Sequence, residues 1–194
     1  MAEDVFRCFG HTPLYRDYHD KEWGRPIHDD RVLFEMLTLE GAQAGLSWET
    51  VLKKREGYRE AFDRFDLQKV ALYGEQQIEA LMRNPNIIRN RLKINATIVN
   101  AGLILKIAAE YGSFDAFIWG YVNGKPIVGH WDAFEHMPSK TPLSDRISND
   151  LKKRGFKFVG STIIYSFLQA AGIVNDHLKA CFVYRDMISE SVSG

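Results

Sequence analysis

Apolar positions in this chain recur mostly at three- and four-residue intervals, the period of a helix that buries one face. Leu33, Phe34, Met36, Leu37 and Leu39 follow this spacing directly after Asp29 and Asp30, a good capping pair, and predict a first core helix. Further helices are expected over 48–55, over 67–73 after Asp66, over 75–82 and, longest, over 91–111. Ser113 introduces Phe114, Phe117, Ile118, Tyr121 and Val122 at the same spacing, and the turn Gly124-Lys125-Pro126 closes that helix. Residues 126–142 lose the period; with prolines, a glycine, His130 and His136 they read as an extended loop between lobes. Helicity resumes where Thr141 places a capping hydroxyl before Pro142, continues over 143–154 and stops at Gly155. Residues 162–171 form the next helix. Only 156–159 suggests a strand and no repeat is visible, so the fold class is all-α.

Composition narrows the class without naming a function. The chain has 194 residues, 45% of them apolar, enough for a sizeable core. No uninterrupted apolar run approaches the roughly 18 residues of a membrane span, and residues 1–4 are acidic where a secretory leader is basic and then apolar. A cytoplasmic protein with no membrane partner is expected. Lys+Arg 25 balance Asp+Glu 25, so net charge gives no argument for a polyanion. Basic residues nevertheless gather at Lys53-Lys54-Arg55, at Arg89, Arg91 and Lys93, and at Lys152-Lys153-Arg154 with Lys157. Each cluster alone is more often a solvated helix face.

The two cysteines, Cys8 and Cys181, are no disulfide framework. His177 and Cys181 stand four residues apart, so one helical turn would point both the same way. Cys8 and His19, eleven apart, could supply the other half of a Cys2His2 set, which suits zinc and, with no open position, a structural role. Spacing alone leaves other readings open: small core cysteines or a disulfide, and an ordinary surface histidine.

Two further constellations carry chemistry. Gly155-Phe156-Lys157-Phe158-Val159-Gly160 is a glycine-bounded turn between helices, able to offer N–H groups to a phosphate, or simply a helix corner with its phenylalanines in the core. Nearer the front, Tyr15, Tyr18 and Trp23 precede Glu40 and Gly45-Leu46-Ser47-Trp48. Core packing accounts for the rings but not for Glu40, a carboxylate at the end of an apolar helix face. An acid ringed by Tyr and Trp suits a flat, cationic, hydrogen-bonding ligand.

The runs from Tyr15 to Gly24 and from Leu39 to Trp48, with Val51 to Arg55 after it, resemble the 3-methyladenine DNA glycosylase I family. Arg154-Gly155-Phe156-Lys157-Phe158-Val159-Gly160 and Asn175-Asp176-His177 extend the resemblance in order across nearly the whole chain. It implies a helix-hairpin-helix DNA glycosylase fold with a zinc-binding lobe built from both termini. The chain would be one unit, 1–194, with a helical body over about 30–140 and 141–175, a hairpin at 155–160, and a metal lobe from 1–28 and 176–194. By position the zinc ligands fall on Cys8, His19, His177 and Cys181, the base-recognising and catalytic carboxylate on Glu40, and the pocket rings on Tyr15, Tyr18, Trp48 and, after the first cysteine, Phe9. Gly45 and Leu46 would enter the gap left by an everted nucleotide, with Gly155, Lys157 and Gly160 at the DNA backbone. The expected activity is monofunctional excision of 3-methyladenine from double-stranded alkylated DNA by a monomer holding one structural Zn2+. The competing reading is a non-catalytic, zinc-stabilised DNA-binding module; a zinc hydrolase of small molecules is weaker, because four protein ligands leave the metal no reactive position.

Overall fold

The computed structural model describes residues 5–192, so the acidic start at 1–4 and the last two residues lie outside the description. The chain opens with α1 (Pro13–Lys21), where Thr12 accepts from the Tyr15 N–H and Pro13 takes the first helical position. Asp29 accepts from the N–H groups of Arg31 and Val32 and starts α2 (Asp30–Gln43), whose residues from Leu33 to Ala42 are all buried. After it come α3 (Trp48–Lys53), α4 (Arg55–Ala61), a 3-10 turn at Asp63–Phe65, α5 (Leu67–Val70), α6 (Glu75–Arg83) and the long α7 (Arg91–Tyr111). The chain continues through α8 (Phe114–Gly120), β1 (Ile127–Val128), α9 (Pro142–Lys153), α10 (Ser161–Ala170), β2 (Val174–Asn175) and α11 (Phe182–Val192). The fold is all-α in substance; β1 and β2 form a two-residue parallel pair, Ile127 opposite Val174 and Val128 opposite Asn175.

The helix α2 is the hub: α3, α7, α8 and α10 all pack on it. At 21 residues and mean hydropathy 1.4 over its most apolar stretch, α7 is long and apolar enough to cross a membrane. Here it packs against α2, α5, α6 and α8, with Ile94, Ala101, Ile104 and Ile107 buried.

Several expectations are corrected. The helix expected over 48–55 breaks at Lys54 and resumes as α4, because Arg55 turns inward: only 7% exposed, it pairs with Glu22 at 2.6 Å and with Glu35. The helix expected over 67–73 stops at Val70. Neither α1 nor α11 was expected, since neither carries a strong apolar stripe. Residues 126–142 are not wholly irregular: β1 and a 3-10 turn at Phe134–His136 lie within them, and Trp131 Nε1 donates to Asp176 at 2.6 Å. The strand suggested over 156–159 is absent, because Phe158 takes a left-handed φ of 54° that breaks any extended run.

The basic clusters are also largely committed inside the protein. Lys54 Nζ donates to Pro85 O, Arg91 pairs with Glu75 and Glu79, and Arg154 pairs with Glu110. Lys93 is part-buried and donates to Ala42 O at 2.7 Å and Ala44 O at 2.8 Å, capping the C-terminal end of α2. Lys157 stays exposed, its side chain in no ion pair or hydrogen bond among the described residues.

Candidate functional site

Four donors converge from the two ends of the chain. Cys8 lies in the extended lead-in to α1, His19 on α1, and His177 and Cys181 in the irregular stretch between β2 and α11, not on a helical turn as their spacing suggested. Their ligand atoms all lie within 4.8 Å of one another. Cys8 Sγ and Cys181 Sγ each stand 3.6 Å from His177 Nδ1, and Cys181 Sγ stands 3.4 Å from His19 Nε2. Tetrahedral zinc, with bonds of roughly 2.0–2.3 Å, requires donor separations of about 3.3–3.8 Å. The residues present therefore fit such an ion.

The outer contacts set both imidazoles for the task. His19 Nδ1 faces Asp20 Oδ1 at 2.8 Å and His177 Nε2 faces Trp23 O at 2.9 Å, so each ring turns its other nitrogen, as lone pair, inward. The thiols interact as a pair: shared hydrogen bonding pushes Cys8 up, burial adding to it, and holds Cys181 well below the ordinary thiol range, with the two histidines helping. Two thiolates this close need a cation between them for both to ionise. Gly24, at φ +80°, runs against this cluster: a Cβ there would stand 2.9 Å from His177 Nε2.

Beside it opens a cleft of about 320 Å³ lined by Phe9, Tyr15, Tyr18, Glu40 and Trp48, all singled out in the sequence. The helix α1 brings Tyr15 and Tyr18, α2 brings Glu40, and the start of α3 brings Trp48. The Tyr18 and Trp48 rings lie 5.4 Å apart, and Phe9 lies 4.7 Å from Tyr15 and 4.9 Å from Trp23. Glu40 is 5% exposed, and its carboxyl has no hydrogen bond or ion pair with any described residue. Burial pushes it up to about 8. The Tyr18 hydroxyl and Trp48 Nε1 are likewise buried without partners. Three polar groups left unpaired at one cleft are costly unless a ligand completes them.

Trp23, part of the aromatic constellation read from the sequence, also lines this cleft, and so do Gln43, Phe134, Ser166 and Gln169, to which sequence reasoning gave no site role. Ser166 and Gln169 were detectable as polar positions three apart among the largely apolar residues of 163–170; Phe134, in a stretch without periodicity, was not. A second groove, of about 220 Å³, shares Glu40, Gln43 and Ser166 and runs out between Gly45-Leu46 and Thr162-Ile163. Gly45 has φ +81° with open space around it, and Leu46 projects, 41% exposed.

The glycine-bounded turn leads into α10, whose Thr162 and Ile163 line this groove. The Asn100 side chain grips it by both ends of its amide, donating to Lys157 O and accepting from Lys157 N at 2.9 Å each. Ser148 Oγ donates to Val159 O at 2.6 Å. Gly155 turns at φ +98° and Gly160 caps α10 with no side chain, which leaves the first N–H groups of α10 to an outside acceptor.

A family model described as methyladenine glycosylase matches residues 8–184. The chain is 52% identical over 172 residues to DNA-3-methyladenine glycosylase 1 of Escherichia coli (strain K12), covering 89% of this chain and 92% of that protein. It is 49% identical to DNA-3-methyladenine glycosylase of Haemophilus influenzae, covering 90% and 96%. A crystal structure of 3-methyladenine DNA glycosylase I superposes with TM-score 0.89 at 51% identity, over 91% of this chain and 98% of that one. The Staphylococcus aureus glycosylase I, solved to explain 3-methyladenine recognition, superposes with TM-score 0.87 at 44% identity, over 89% and 92%.

Proposed function

This chain belongs to the methyladenine glycosylase family, and from that premise we propose how its residues excise 3-methyladenine from alkylated DNA as the first step of base-excision repair. The observation that carries the reading is the unpaired, buried carboxyl of Glu40 beside the unpaired Tyr18 hydroxyl and Trp48 N–H.

Methylation at N3 makes the adenine of a nucleotide cationic and weakens its bond to deoxyribose. With its carboxyl raised to about 8, Glu40 is mostly protonated at neutral pH, so an empty pocket holds no bare charge. Ionising it there costs about 5 kcal/mol relative to water. A cation about 4 Å away returns roughly 4 kcal/mol at the effective dielectric of a protein site. A cationic base therefore offsets most of that cost and a neutral base cannot, which is how one acid separates the lesion from the ordinary bases. The same attraction acts in the bound ground state, so Glu40 contributes more to recognition than to the chemical step.

Catalysis then follows from position. The turn at 155–160 and the start of α10 take the phosphates, Gly45 and Leu46 fill the gap in the duplex, and the everted base lies against Trp48 within reach of Glu40 and Tyr18. Phe9 and Tyr15 close the slot. The glycosidic bond breaks with its electron pair going to the base, which leaves as neutral 3-methyladenine. Water adds to the oxocarbenium-like sugar carbon and gives up a proton. No lysine lines the pocket, so no Schiff-base nucleophile competes with water and the enzyme is monofunctional.

Cys8, His19, His177 and Cys181 would hold one structural Zn2+, tying the two terminal segments into one lobe beside the helical body; bound, it would supply folding free energy and take no part in the reaction. Every group in the proposal comes from a single copy, in keeping with a monomer acting on double-stranded DNA in the cytoplasm. Chromatography of bases released from methylated DNA tests the reading. Free 3-methyladenine without strand scission is expected, whereas no released base, or a DNA adduct trapped by borohydride, would overturn it.

A further inference from the structure

Gln169 lines the pocket from α10, one helical turn past Ser166. Its Nε2 donates to Asp176 Oδ2 at 2.8 Å and lies 3.1 Å from Met137 Sδ. Asp176 is 1% exposed, and its carboxylate also accepts from Trp131 Nε1 at 2.6 Å and from the Tyr165 hydroxyl. A carboxylate so engaged only accepts, so Gln169 cannot turn its own carbonyl toward it without setting two acceptors face to face. The amide is locked with its nitrogen inward. What it has left to offer a ligand is Oε1, which has no partner among the described residues.

Apart from the indole N–H groups of Trp23 and Trp48, which only donate, the other polar groups of the pocket do not have a fixed sign. The Gln43 side chain makes no hydrogen bond with any described residue and can turn either end of its amide to a ligand. Ser166 carries a hydroxyl that donates or accepts. Glu40 donates when protonated and accepts when ionised, so it recognises positive charge but does not by itself refuse a carbonyl. N3-methylated guanine is as cationic as N3-methylated adenine, and charge cannot separate them.

We propose that Gln169 is a specificity-determining residue, whose Oε1, oriented by Asp176, accepts from the amino group at C6 of adenine and repels the carbonyl oxygen at C6 of guanine. The inference rests on reading the pocket as the base site. Asp176 is then a positioning residue that acts through Gln169 and never touches the base.

DNA methylated with dimethyl sulfate carries both N3-methylated purines, and the ratio of their initial release rates is the readout. In Gln169→Met, which keeps the length but neither accepts nor donates strongly, the preference for 3-methyladenine over 3-methylguanine is expected to fall about tenfold, the effect of one acceptor facing a donor or an acceptor. Asp176→Asn offers the amide either partner, releases the lock and should lower the same ratio while keeping Gln169 itself. If Gln169→Met does not fold, Asp176→Asn carries the test alone. An unchanged ratio in a folded variant that still releases 3-methyladenine overturns the inference and leaves the base-site reading standing. Failure of the unmodified enzyme to release either base overturns both.

Discussion

Replacing Glu40 by glutamine is expected to make the protein more stable, by an amount that grows with pH. The carboxyl sits at about 8 in the fold, against an ordinary value of 4.5, with burial as the cause. The folded state therefore keeps its proton longer than the unfolded chain, and unfolding between those values releases it. Because the folded value is the higher one, stability is lost as pH climbs from 4.5 and levels off above 8. The loss is about 1 kcal/mol at pH 5, about 3 at pH 7 and about 5 once both states are ionised, at 1.36 kcal/mol per unit. Tyr15 and Tyr18, which face the acid, are themselves held above their usual range, first by burial and then by Glu40, so they stay neutral throughout.

Glu40→Gln keeps the size and polarity of the protonated acid and cannot ionise. Urea denaturation of the unmodified protein and the variant, at steps from pH 5 to pH 9, should show the difference widening by roughly 4 kcal/mol in favour of the variant. Release of 3-methyladenine should fall in the same variant at neutral pH, because nothing remains to meet the cation. Stability curves that run parallel within about 1 kcal/mol would mean the carboxyl is solvated, and the argument for discrimination by a buried acid would fail with them.

Gly24→Ala should cost about 1–3 kcal/mol and leave less than one zinc per chain by metal analysis, since Gly24 combines φ +80° with a Cβ position 2.9 Å from His177 Nε2. Asn100→Ala frees both backbone groups of Lys157 and should weaken binding to duplex DNA about tenfold, while affinity for free 3-methyladenine, read by tryptophan fluorescence, stays unchanged. Arg55→Met leaves Glu35 buried with only Arg59 beside it, and should lower stability in urea by about 3 kcal/mol, with partial recovery in Arg55→Met/Glu35→Leu.

What the sequence made legible were elements with strong local causes. Asp29, Thr141 and Ser113 cap the helices they introduce, and the apolar run of 91–111 is α7 with its bounds unchanged. The elements it hid have their causes far away. Thr12-Pro13 is the same start signal as Thr141-Pro142, yet α1 buries only Tyr18 and His19 and shows no apolar stripe. Two residues of β1 and two of β2 are too few for a pattern, and they exist because 173–175 passes beside 127–129. The site divides the same way. Glu40 announced itself by its cost on an apolar face, whereas the four candidate metal ligands needed the fold to bring residues 8 and 19 against residues 177 and 181.

That division also bears on how the phosphate grip and the acid keep their distance. Phe158 is held at a left-handed φ of 54°, a conformation costly for an aromatic residue, by Asn100 on one side and Ser148 on the other. In that pose it packs on Gly41, where a Cβ would stand 3.3 Å from Phe158 Cβ. Gly41 directly follows Glu40 on α2, and Lys93 fixes the carbonyls of Ala42 and Ala44 just beyond. The turn thus packs through Phe158 directly on α2 beside the acid, and the Gly45-Leu46 tip follows just past the end of that helix. A backbone phosphate seated on the turn would then stand at a set distance from Glu40. On the proposed reading, Gly41 sets the spacing between phosphate and acid, and a larger residue there would push the turn off α2.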